Sequence, residues 1–219
     1  MAERGAAPKA VFFDFDGVLL ESADIKTEAF RELFKEHPRP LLARILDHHR
    51  RNAGLSRFRK FDHVYRRILR KPLPAAERRR LGREFARLVV DRVMACPMVP
   101  GARGLLGWAA RRMDLFIVSG TPQAELRRIV KARGLARYFR GVYGSPRTKD
   151  ETVAAILRRG RWRAEETVYV GDALSDWKAA SGNGVPFVGR ARGRSPFPRR
   201  VPRVRDMRGF RSRLARALR

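Results

Sequence analysis

Val11-Phe12-Phe13-Asp14-Phe15-Asp16-Gly17-Val18-Leu19-Leu20 is the stretch on which the reading of this chain turns. Its apolar start, with two β-favouring phenylalanines, predicts a buried strand over roughly residues 10–15. Asp14 and Asp16 then stand at the C-terminal end of that strand. A buried carboxylate is costly unless it is paired or bound to a metal, so two in succession call for a chemical reason. Residues i and i+2 of an extended strand point the same way, which aims both acids at one site. One can attack an electrophile while the other moves a proton, with a hard cation between them. Gly17 lets the chain turn away without a side chain crowding that site.

Outward from this stretch the pattern changes twice. Between residues 22 and 94 the apolar positions fall at helical steps: Ile25, Ala29, Phe30, Leu33 and Phe34, then Leu41 to His49, then Phe58, Phe61, Val64, Tyr65, Ile68 and Leu69, then about 75–94. Pro38 and Pro40 break the first of these helices, and Ser56 is placed to cap the third. After the linker Cys96-Pro97-Met98-Val99-Pro100-Gly101, helices alternate with strands at Leu115–Val118, Gly141–Tyr143, Val168–Val170 and Val185–Val188. Thr121 is expected to cap a helix with Pro122 in its first position, and Thr148 with Glu151 has the form of a capping box. Alternation of this kind implies right-handed crossovers and a parallel sheet. The fold class is therefore α/β, with an all-α block inserted after the first strand. The expected division is 9–21 and 95–192 for a discontinuous core, 22–94 for the helical insert and 193–219 for an Arg- and Pro-rich tail. That tail would end in an amphipathic helix through Phe210, Leu214 and Leu218.

Open parallel sheets bind ligands at the carboxyl ends of their strands. Those ends present Asp14 and Asp16, then Ser119-Gly120-Thr121, then Lys149, then Asp172 and Asp176. Each suits phosphate chemistry. Asp14 can form an aspartyl-phosphate and Asp16 can give and take the proton. Ser119 and the amides that follow it can hold phosphate oxygens, and Lys149 can meet the charge of the transferring group. Asp172 with Asp14 supplies hard oxygen ligands for Mg²⁺. Each also has an ordinary reading, as a turn, a helix cap or a solvated lysine. Their order at successive strand ends argues against that reading for the set.

At this point the chain resembles the haloacid dehalogenase (HAD) superfamily. Asp14-Phe15-Asp16-Gly17-Val18, Ser119-Gly120-Thr121, Lys149 and Gly171-Asp172-Ala173-Leu174-Ser175-Asp176 are similar to its four ordered motifs, and the likeness covers roughly residues 10–190. The helical insert resembles the small α-helical cap of phosphoglycolate phosphatases and β-phosphoglucomutases. The resemblance implies a Rossmann-like core, Mg²⁺ dependence, an Asp14 nucleophile and the backbone carbonyl of Asp16 as a further metal ligand. It also implies that Asp16 favours phosphate esters over dehalogenase or phosphonatase chemistry. Asp172 would ligate the metal directly, while Asp176 would ligate through water or orient Lys149. Gly17, Gly120 and Thr121 would line the substrate site. In Gly54-Leu55-Ser56-Arg57, similar to a cap loop of these relatives, Arg57 would meet a distal anionic group. Glu21, where relatives keep an acid near the hinge, would meet a substrate hydroxyl. Ala173 departs from the serine common at its position.

Composition bounds the rest. The chain has 219 residues, 50 basic and 22 acidic, for a net charge of +28. Arginine scattered over the whole length explains this excess without a polyanion partner, although the basic field would attract a phosphorylated substrate. A nucleic-acid partner, with the core acting on a terminal phosphate, is the rival from another class. Within the enzyme class the rival is a phosphomutase that returns the phosphoryl group to its substrate. There is no apolar run of 18 residues, no apolar leader segment and one cysteine, Cys96, which points to a cytoplasmic protein without a membrane span or disulfide framework. His48, His49 and His63 read as surface or packing residues of the helical insert, with no zinc-site spacing among them, and Trp108, Trp162 and Trp177 as packing.

Overall fold

The computed structural model describes residues 7–193 and 195–210. Six parallel strands form one sheet in the order β3-β2-β1-β4-β5-β6. They are β1 (Ala10–Phe13), β2 (Asp114–Pro122), β3 (Gly141–Ser145), β4 (Thr167–Gly171), β5 (Phe187–Arg190) and β6 (Arg203–Val204). β1 lies at the centre and is buried along its whole length, which is why its sequence is continuously apolar. Its side chains still divide by the two-residue period. Val11 and Phe13 join Leu115, Ile117, Val168 and Val170 on one face, while Ala10 and Phe12 join Phe116, Val118 and Tyr169 on the other. The register Phe12↔Phe116 and Phe12↔Tyr169 stacks three rings across the sheet, with centroids 5.8 and 6.2 Å apart.

Helices cover both faces. Leu105, Leu106, Leu126 and Ile129, from α5 (Ala102–Ala109) and α6 (Gln123–Ala132), close the first. Val153, Ile156 and Ala180, from α7 (Lys149–Gly160) and α8 (Leu174–Gly182), close the second. The sequence order reverses between β1 and β4, so the two strands flanking this switch point end beside each other. That is where Asp14, Asp16 and Asp172 lie.

Between β1 and α5 the chain forms the four predicted helices: α1 (Ala23–Leu33), α2 (Arg39–Arg51), α3 (Arg57–His63), which runs on as a π-helical turn over Val64–Leu69, and α4 (Ala75–Ala95). Their interior is aromatic, with Phe30 against Phe61 at 5.6 Å and Phe85 at 5.2 Å. The His48 and His63 rings stack at 3.7 Å, with His63 exposed at the surface of the insert. Entry and exit of this block run side by side. Val99 N donates to Leu19 O at 3.0 Å and Glu21 N to Pro97 O at 3.0 Å.

Three expectations are corrected. Pro122 ends β2 and precedes α6 as its N-cap residue, and Thr121 bonds Asp16 rather than capping a helix. The fifth strand sits two residues later than expected, because Gly184 at φ 68° carries a turn up to Val185. Residues 195–210, read as tail, lie on the core. β6 pairs with β5, and Phe197, Val201, Val204, Met207 and Phe210 are buried. The Arg and Pro content of the stretch hid this: its apolar residues recur at steps of three and four, but Pro198 and Pro202 break any helix through them. The amphipathic helix through Leu214 and Leu218 falls outside the described residues. Among the described residues no helix is long and apolar enough to cross a membrane.

Candidate active site

Asp14 follows β1 directly, and its backbone N–H bonds Val170 O at 2.9 Å, continuing the sheet for one more residue. Its Oδ1 accepts from Phe15 N at 2.7 Å, and its Oδ2 stands 2.9 Å from Lys149 Nζ. Lys149, in the first turn of α7, reaches Asp176 Oδ1 at 2.5 Å with its other side. Asp176 is wholly buried and fully engaged. Its Oδ1 also accepts from Tyr169 Oη at 3.1 Å, and its Oδ2 accepts from Ala173 N at 3.0 Å at the start of α8, the half of a capping box that an alanine N-cap residue allows. The capping reading and the lysine-orienting reading of Asp176 thus describe the same carboxylate.

Ligand atoms of Asp14, Asp172 and Asp176 all lie within 4.8 Å of one another. Crowding of this kind works against ionisation. Burial, reinforced by Asp176 and opposed by Lys149, pushes the Asp14 carboxyl up to about 7. Desolvation, then the charges of Asp14 and Asp176, push Asp172 well above the usual carboxylate range. Lys149 is held above its ordinary value, since Asp14 and Asp176 outweigh the burial that would lower it. A divalent cation suits this set. Asp14 and Asp172 are hard oxygen donors with excess negative charge between them, and only one or two carboxylates are needed for Mg²⁺. Gly17 leaves the room. At φ 73° it adopts a left-handed turn, and a Cβ there would lie 2.1 Å from Asp172 Oδ2.

Asp16 lies beyond the end of β1 and lines the same cavity as Asp14, with partners of its own. Ser22 Oγ donates to its Oδ1 at 2.7 Å, Thr121 Oγ1 donates to its Oδ2 at 2.9 Å, and Lys26 pairs with that same Oδ2. Burial would raise its pKa, but the Lys26 charge and these hydrogen bonds together hold it below the usual range. Ser119 is buried in β2, where the register with β3 shifts between Val118 and Pro122, and its Oγ accepts from Thr121 N at 3.1 Å. Gly120 marks the contact between core and insert, since a Cβ there would lie 2.5 Å from Gly54 O.

The helical block roofs these groups and encloses a cavity of about 200 Å³, lined by Asp14, Asp16, Ser119, Thr121 and Asp172 below and by Arg57 and Lys60 above. Two sequence-derived candidates find other partners. Arg57 lines the cavity, but its Nη2 is 2.5 Å from Glu125 Oε1 at the start of α6, and its guanidinium covers the Phe85 ring. Glu21 stands outside the cavity lining. Its carboxylate takes Arg190 Nη2 at 2.6 Å, while Arg190 Nη1 donates to Gly17 O at 2.7 Å. Lys26, Lys60, Tyr169 and Arg190 escaped sequence reasoning, and His49 was given only a structural reading. Only Lys26 carried a signal, as a charged residue on the buried face of α1.

A doubly wound sheet with an acidic cluster at its switch point, roofed by helices inserted after its first strand, has the layout of an α/β phosphohydrolase. Residues 8–184 match the haloacid dehalogenase-like hydrolases, and the chain belongs to that family. It is 30% identical over 199 residues to phosphoglycolate phosphatase of Rhodospirillum rubrum, covering 87% of this chain and 83% of that one. It is 25% identical over 194 residues to phosphoglycolate phosphatase 1 of Pseudomonas aeruginosa, covering 81% and 67%. Among solved structures, the HAD-hydrolase YfnB of Bacillus subtilis bound to magnesium superposes with a TM-score of 0.72 at 17% identity, over 95% and 99% of the two chains. CbbY of Rhodobacter sphaeroides, in complex with xylulose-1,5-bisphosphate, does so with 0.71 at 18% identity, over 91% and 95%. These likenesses show a shared fold. The chain is an enzyme, a phosphatase of this family, similar to phosphoglycolate phosphatases.

Proposed function

We propose that this phosphatase hydrolyses a small phosphomonoester of the phosphoglycolate or sugar-phosphate kind through an aspartyl-phosphate on Asp14. The observation that carries the reading is the Asp14 carboxylate itself, fixed by Phe15 N–H and Lys149 at the switch point, with a proton-transferring acid two residues on. An Asp14 oxygen attacks phosphorus, the ester P–O bond breaks, and Asp16 gives its proton to the departing oxygen. Asp16 then takes a proton from water, whose oxygen attacks the phosphorus and releases phosphate and the free Asp14 carboxylate. Lys149 meets the negative charge of the transferring group, and Asp176 with Tyr169 keeps it in place. Ser119, Gly120 and Thr121 border the phosphoryl end of the cavity. Asp14, Asp172 and the Asp16 backbone carbonyl would hold Mg²⁺, which supplies positive charge to the phosphoryl oxygens. Asp176, with both oxygens engaged, acts through Lys149.

Phosphate release from phosphoglycolate and from hexose and pentose phosphates, with and without Mg²⁺, tests this. Release is expected with Mg²⁺ only, and Asp14→Asn is expected to abolish it while leaving the circular dichroism spectrum and Tm near those of the parent. Turnover retained in Asp14→Asn would overturn the mechanism.

A further inference from the structure

Three cations near the cleft are already paired: Lys26 with Asp16, Lys149 with Asp14 and Asp176, and Arg57 with Glu125. Lys60 is different. It lies on α3 one turn beyond Arg57, is only 3% exposed, and lines the same cavity. An ammonium has three donors. Those of Lys60 reach Ala53 O at 3.1 Å and His49 Nδ1 at 3.3 Å, and among the described residues no carboxylate lies within ion-pair distance. The His49 ring packs against Phe30 at 4.2 Å, and the Lys60 ammonium lies 5.5 Å over that same Phe30 ring. A nearly buried cation held on neutral acceptors is expensive unless an anion arrives to pair with it.

We propose that Lys60, braced by His49 and the Ala53 carbonyl, is the anchor for a second anionic group of the substrate, a carboxylate or a second phosphate. This rests on the phosphomonoesterase reading and gives it a substrate class, a small ester with one anion at Asp14 and another at the roof. The cavity, at about 200 Å³, is smaller than ordinary ligand sites and suits a molecule of few heavy atoms. Arg57, which the resemblance would assign to this anion, instead ties the roof to α6. Burial and the charges of Lys26 and Lys149 bring the Lys60 amine down to about 7, against the opposing pull of Asp16 and Asp172. His49, pushed down to about 2 by burial and by Lys60, stays neutral and accepts. The anchor is therefore charged below about pH 7 and fades above it.

Two phosphonates, whose P–C bond replaces the ester P–O bond, separate this proposal from the catalytic reading. Phosphonoacetate carries a carboxylate and methylphosphonate does not. Calorimetric titration of the full chain with Mg²⁺ at pH 6.5 is expected to show phosphonoacetate bound about tenfold or more tightly than methylphosphonate, as a charged hydrogen bond provides. In Lys60→Met, and in Lys60→Gln should the first variant misfold, that ratio is expected to fall towards one. In the parent chain it is expected to shrink between pH 6.5 and 9, and in Lys60→Arg to persist. A ratio near one in the parent, or one that survives in Lys60→Met, would overturn the proposal. Binding alone is read and neither probe has an ester P–O bond, so these outcomes stand apart from a failure of phosphate release.

Discussion

Asp16 illustrates how much a single carboxylate's role depends on its neighbours. The proposed mechanism needs it to carry a proton when the ester oxygen leaves, yet Lys26, Ser22 and Thr121 all favour its ionised form. Lys26 is the strongest of the three. Lys26→Met is therefore expected to raise the Asp16 pKa, since burial then acts with less opposition. The limb of the kcat/KM profile that Asp16 governs should move to higher pH, by about one unit if one charged hydrogen bond is lost. A pH–rate series on the parent and the variant checks this, and superimposable profiles would remove Asp16 from proton transfer.

Between elements, the contact to probe is α3 against α6. Arg57 and Glu125 join the helical roof to the core, with side chains 5% and 13% exposed. Removing one member of a buried pair leaves the other charge uncompensated, at a cost of roughly 3–5 kcal/mol. Glu125→Ala is expected to destabilise by an amount at the lower end of that range, because Gly82 O still receives the guanidinium at 3.5 Å and the Phe85 face still covers it. Denaturant unfolding of Glu125→Ala, Arg57→Met and the double variant forms a cycle. The double variant is expected to be no less stable than Glu125→Ala. Strictly additive losses would mean that the two residues do not act as a pair.

For the whole molecule, the question is where the folded unit ends. A chain stopped at residue 194 lacks Phe197, Val201, Val204, Met207 and Phe210, all buried. Phe210 packs beside Phe13 of the central strand at 6.3 Å, and Arg190, which holds Gly17 O, donates to Arg205 O at 3.1 Å. Burial of each such side chain contributes about 1.5–3 kcal/mol, so five together rival the roughly 5–15 kcal/mol margin of a whole domain. The truncated chain is expected to express poorly or melt well below the parent, with loss of phosphate release. An active truncation with an unchanged Tm would show that β6 and the residues after it are dispensable.

The strands, the inserted helices and the order Asp14, Asp16, Ser119, Lys149, Asp172 were legible from the chain. Hydrophobic period and turn residues are local, and the polar residues stand directly at the strand ends. The pairings were not legible. That Glu21 meets Arg190, that Arg57 meets Glu125, and that Lys60 is left facing the cavity depends on residues distant in sequence, brought together by the sheet order and by the seating of Gly54 O on Gly120. β6 escaped for the same reason. Two residues make no period, and Arg203–Val204 becomes a strand only because the edge of β5 lies beside it. Local sequence determines which residues can do chemistry, and long-range packing determines which of their charges remain unpaired to do it.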